Sequence, residues 1–73
     1  MRTVRVSAEF INQVDLSLPR APGYRIGLLR REVGKRIGRL PSDAAVRLAV
    51  NVLVERRKAR WIGRPEWQRR IAR

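Results

Sequence analysis

Cysteine and histidine are both missing from these 73 residues. No disulfide can form, and the usual ligand sets for zinc, haem and iron–sulfur clusters cannot be assembled, so neither metal nor cofactor is expected. Aromatic residues are nearly as scarce, with Phe10, Tyr24, Trp61 and Trp67 the whole supply. Long apolar runs are absent too. The most apolar stretch, 44–54, is broken by Arg47 and Asn51 and is too short to span a bilayer, which argues against a membrane partner. The first residues alternate bases with apolar side chains and lack the continuous apolar core of a signal peptide, so a cytoplasmic location is expected. A chain of this length makes a single small basic domain over 1–73, expected to be monomeric with frayed ends. Its stability must come from apolar packing or from a partner.

Catalysis is hard to build from what remains. The candidate nucleophiles are Ser7, Ser17 and Ser42, and neither Lys35 nor Lys58 lies in a Ser-x-x-Lys arrangement that could activate one. Glu9, Asp15, Glu32, Asp43, Glu55 and Glu66 show no close pairing suited to acid/base work or metal binding. The chain therefore reads as a non-enzyme.

Acids are the other shortage: six, against eighteen Lys and Arg, for a net charge of +12. The surplus sits in two blocks, net +5 over 25–40 and net +6 over 55–73, around a neutral apolar middle. Self-repulsion at this density destabilises a small fold, so the surplus points to an anionic partner. Sixteen of the eighteen bases are Arg, whose planar fork suits phosphate or carboxylate.

Periodicity predicts an α+β, mostly helical fold. Val4, Val6, Ala8 and Phe10 alternate with polar residues, which favours an amino-terminal strand over 2–7. A competing pattern starts a helix at Ser7 with Phe10, Ile11 and Val14 as its apolar face, leaving 8–15 open between strand and helix. Pro19, Pro22 and Gly23 make 16–24 a loop. Ile26, Leu29, Val33, Ile37 and Leu40 predict an amphipathic helix over 25–39, with Gly27, Gly34 and Gly38 along one flank. Ser42 is a candidate N-cap for a central, mostly buried helix over 43–60, and Pro65 opens a short final helix over 65–72 in which Trp67 and Ile71 meet.

Two surfaces are candidates for function. Arg56, Arg57, Lys58, Arg60, Arg64, Arg69 and Arg70, with Arg31, Lys35 and Arg39 from the earlier helix, suit an RNA or DNA phosphate backbone without reading sequence. Trp61 and Trp67 could stack on bases or pack in the core. Val4, Arg5, Val6 and Ser7, if they form a sheet edge, could pair with an extended segment of a partner protein or only within the domain. A helix–turn–helix would map onto 25–38 and 43–58. Its second helix opens on Ala44, Ala45, Val46, Arg47, Leu48 and Ala49, a core sequence where base-reading side chains belong. A ribbon–helix–helix would need an unusually long insertion before its first helix.

The length, the arginine-rich charge, the absence of His and Cys and the opening Met1, Arg2, Thr3, Val4, Arg5, Val6, Ser7 together resemble the small RNA-polymerase-binding transcription regulators of lytic Xanthomonas phages. The resemblance implies binding to bacterial RNA polymerase near the amino terminus of its largest subunit and the RNA exit channel, in the host cytoplasm. It further implies inhibition of initiation by sigma displacement, and antitermination. No functional residue carries over from it. The alternative expectation is a free-standing basic DNA-binding repressor or architectural protein.

Overall fold

Ser7 decides how the first described helix begins. In the structure, a computed structural model that describes residues 6–20, 23–62 and 70–73, its Oγ accepts the Phe10 N–H at 3.0 Å and its carbonyl accepts the Ile11 N–H. That is an N-cap, and it opens helix α1, Ala8–Ser17, with Glu9 placed favourably in the first turn. The two orders of Val6, Phe10, Ile11 and Val14 explain why a strand is predicted here. Alternation and helical spacing share these residues, and the cap resolves the ambiguity in favour of helix over 8–15. Of the strand expected over 2–7, residues 2–5 lie outside the described residues. Val6 and Ser7 are not in a strand.

Helix α2, Ile26–Ile37, buries Ile26, Leu29 and Val33 and ends at Gly38, whose φ of 79° suits a residue without Cβ. Lys35 and Arg36 occupy its last turn, where cations favour the helix dipole. Ser42 caps helix α3, Asp43–Glu55, by accepting the Ala45 N–H at 3.1 Å. This helix is shorter and wetter than predicted. Val46, Ala49, Val50 and Leu53 are buried, whereas Ala44 and Leu48 join Arg47, Asn51 and Glu55 on the exposed side. The three helices pack pairwise around one core.

Beyond α3 the sequence expectation fails in a definite way. Helix 43–60 stops at Glu55, and the chain turns into strand β1, Arg60–Ile62, which pairs antiparallel with β2, Arg70–Ala72. Residues 70–72 are thus strand rather than the end of a final helix, and 65–69 lie outside the described residues. The other edge of β2 bonds to Tyr24: Tyr24 N–H donates to the Ile71 carbonyl at 2.9 Å, and Ile71 N–H donates back at 2.7 Å. Ile71 therefore sits between two neighbours and is fully buried. Gly23 permits this approach, because a Cβ there would lie 2.8 Å from the Ile71 carbonyl oxygen. The loop predicted over 16–24 is correspondingly shorter, with Leu16 and Ser17 in α1 and Tyr24 in the sheet.

Arg73, expected in a frayed end, instead ties β2 to α1. Its N–H donates to the Pro19 carbonyl at 2.9 Å, and its guanidinium donates to the carbonyls of Leu18 and Asp15. Arg30 similarly donates to the Pro41 carbonyl and fastens the turn between α2 and α3.

Leu53, 1% exposed, and Leu48, 36% exposed, separate core from surface within one helix. Leu53→Ala is expected to destabilise the fold by about 2–5 kcal/mol. Leu48→Ala should stay within roughly 1 kcal/mol of the parent in urea denaturation.

Candidate nucleic-acid interface

Local sequence fixes where the bases point. The buried stripe of α2 leaves Arg31 and Lys35 exposed on the opposite face, and Arg39 follows in the turn. Arg36, outside the predicted set, is exposed as well. It lines an open groove of about 420 Å³ with Ser7, Glu9, Phe10, Gln13, Ile37 and Arg39, between α1 and the end of α2. A second open groove, about 500 Å³, is lined by Arg31, Gly34, Lys35, Gly38, Arg39 and Leu40. Leu40 is 59% exposed and Leu28 is 44% exposed, so the α2 surface mixes cations with apolar side chains. In the sequence Leu40 looks like the next core position of α2. Gly38 ends the helix first and turns it outward.

The second group forms a corner between α3 and β1. Arg56, the C-cap of α3, Arg57, Lys58 and Arg60 are all exposed, while Ala59 between them is buried. Arg57 N–H donates to the Val54 carbonyl at 3.0 Å and Lys58 N–H to the Leu53 carbonyl at 2.9 Å, the paired bonds of a Schellman helix end. Arg57 occupies the left-handed position, with φ 59°. Glycine normally takes this position, and a residue with Cβ is disfavoured there by roughly 1 kcal/mol. Arg70 is exposed on β2. Since Arg60 pairs with Ala72 and Ile62 with Arg70, alternation puts Arg60 and Arg70 on the same face of the hairpin. Arg64 and Arg69 lie outside the described residues.

Few carboxylates neutralise these groups. Among the described residues the ion pairs are Lys35 with Glu32 at 3.3 Å, Arg47 with Asp43 at 2.8 Å and Arg73 with Asp15 at 3.9 Å. Of the described bases among those expected to face nucleic acid, only Lys35 enters one. Trp61 is half-buried and packs against the core, which assigns it to packing. Trp67 lies outside the described residues.

The expected partner-binding edge fares differently. Val4 and Arg5 lie outside the described residues. Val6 is half-buried against the core, and the Ser7 carbonyl is committed to α1, so Ser7 offers no open strand edge.

Helices α2 and α3, joined by a short turn and followed by a hairpin, have helix–turn–helix order. The exposed side of α3 carries Asp43, Ala44, Arg47, Leu48, Asn51 and Glu55, and its single base is bonded to Asp43. That face lacks the positive charge needed to enter a groove of DNA. Among the described residues no group of three or more acidic, His or Cys side chains could hold a metal ion, and no helix is long and apolar enough to cross a membrane.

Arg47→Ala and Asn51→Ala are accordingly expected to leave duplex affinity within about twofold of the parent in fluorescence anisotropy. Losses approaching the ~1–3 kcal/mol of a bidentate base contact would show that α3 reads bases. Comparison with family models, with curated proteins and with solved structures yields no match.

Proposed function

We propose that this chain is a non-enzymatic transcription regulator that docks on bacterial RNA polymerase through its amino-terminal half and presents its arginine-rich surfaces to RNA, DNA or acidic polymerase surface. It acts as a monomer in the cytoplasm, inhibits initiation by displacing sigma and promotes antitermination near the RNA exit channel. Polymerase as the partner rests on the resemblance of the whole chain to the phage regulators described above. The observation that carries the rest is the distribution of charge: the exposed side of α3 carries one base, Arg47, paired with Asp43, while most of the other described bases gather on α2 and at the α3–β1 corner. Such a molecule has little to read a base sequence with, yet has ample positive surface for an assembly that already holds nucleic acid. Close to an emerging transcript, cations that hold the strand would oppose hairpin formation by electrostatics and by occupying space.

A second reading, a free-standing DNA-binding repressor or architectural protein, is favoured by the helix–turn–helix order followed by a hairpin. The two readings separate on purified components. The protein is expected to retain polymerase in a pull-down after nuclease treatment and to alter initiation or termination by purified polymerase. Indifference of transcription to excess protein, with tight duplex binding in the absence of polymerase, would favour the repressor and remove the docking reading.

A further inference from the structure

We propose that the corner formed by Arg56, Arg57, Lys58, Arg60 and Arg70 is the contact through which this chain grips the phosphodiester backbone of a nucleic acid, independently of base sequence. The proposal rests on the reading of the chain as a transcription regulator. It assigns phosphate contact to one of the two basic surfaces.

The first argument is the residue at the left-handed position. The Schellman bonds at the end of α3 need a residue of positive φ, and glycine satisfies that need without strain. Arg57 stands there instead. A cation near the carboxy end of a helix does favour the dipole, but Arg56 and Lys58 already supply that charge on either side. Nothing inside the fold explains why the strained position itself should be charged. Backbone strain of this kind concentrates where a side chain must be held in place for binding.

The second argument is the absence of neutralisation. Among the described residues none of these five bases enters an ion pair, and Glu55 at the end of α3 is the only acid within the corner segment. Cations crowded at successive positions repel one another, and an external anion relieves that repulsion.

The third argument separates nucleic acid from protein as the partner. On the α2 surface the bases surround exposed Leu28 and Leu40, which gives it an apolar component. At the corner Ala59, the apolar residue among the bases, is buried, so the exposed segment 55–58 and 60 is wholly charged. A phosphate backbone offers repeating anions and no apolar face. Arginine forks match it with paired donors. The corner segment also holds no Asn or Gln that could read adenine, and arginine forks spent on phosphate carry no base information, so the proposed contact is sequence-tolerant.

The test uses the full chain with Arg57→Gly, and with Arg31→Ala on α2 as a charge-matched control. Two mixed-sequence probes, a single-stranded RNA and a duplex DNA, are titrated by anisotropy across a salt series. Arg57→Gly should raise the melting temperature by about 4–8 °C by relieving the strain. It should also weaken binding threefold or more and reduce the salt slope by about 0.7 on single-stranded RNA or 0.9 on duplex. The probe with the larger loss identifies which nucleic acid the corner contacts. Arg31→Ala should lose less on the same probe.

A lowered melting temperature, unchanged affinity and slope on both probes, or an equal loss from Arg31→Ala would each overturn the proposal. Pull-down of nuclease-treated polymerase keeps the two readings apart. Arg57→Gly should capture polymerase as the parent does. Loss of capture with unchanged oligonucleotide binding would make the corner a contact for acidic protein and overturn the phosphate assignment. If the parent itself failed to capture polymerase, the docking reading would fall while the oligonucleotide results stood on their own.

Discussion

Electrostatic self-repulsion is the constraint under which this fold is built. A net charge of +12 on 73 residues leaves little carboxylate to pair with, so the interior has to be held without ion pairs. The core is accordingly apolar, from Ile11 and Val14 of α1 through Leu29, Val33, Val50 and Leu53 to Ile71 of the hairpin. The one buried polar side chain among the described residues, Ser17, donates to the Gln13 carbonyl. Where arginines serve the fold they mostly use backbone carbonyls in place of carboxylates: Arg30 on Pro41, and Arg73 on Leu18 and Asp15. Carbonyl oxygens satisfy guanidinium donors without drawing on the scarce acids.

The same constraint shapes the surface. Bases left over from these structural tasks face water on α2 and at the α3–β1 corner, and of the described acids Glu32, Asp43 and Asp15 pair with Lys35, Arg47 and Arg73. The exposed side of α3 stays nearly neutral. A helix–turn–helix order with a nearly neutral second-helix face and a charged corner is better suited to gripping a backbone than to reading an operator. Function on this account lies in where the fold leaves its charge uncompensated.

Helices with complete signals were legible in the sequence. Apolar residues at 26, 29, 33 and 37 with Gly38 behind them specify α2, and Ser42 with Asp43 marks the start of α3. Helix α1 was ambiguous because Val6 and Phe10 satisfy both a two-residue and a four-residue repeat. Only the Ser7 cap distinguishes them. The strands could not be read. Each has three residues, too few for a period, and the pairing of Tyr24 with Ile71 joins segments far apart in the chain. The end of α3 was missed for a related reason: the expected stop signal is glycine, and Arg57 holds the position. Of the site, exposure of the bases on α2 and at the corner was legible from charge blocks. The contrast between an amphipathic α2 surface and a wholly charged corner needed the fold, because it depends on Leu40 turning out and Ala59 turning in.

If uncompensated repulsion governs this molecule, its stability should respond to ionic strength in the direction opposite to that of a protein held by ion pairs. The most direct measurement is the thermal midpoint of the purified chain at constant pH over a sodium chloride series from about 10 mM to 300 mM, across which the screening length falls from roughly 30 Å to below 8 Å. The account predicts a midpoint that climbs steadily with salt. A midpoint that stayed level or declined would mean that the positive charge is already balanced within the fold, contradicting the account at its base.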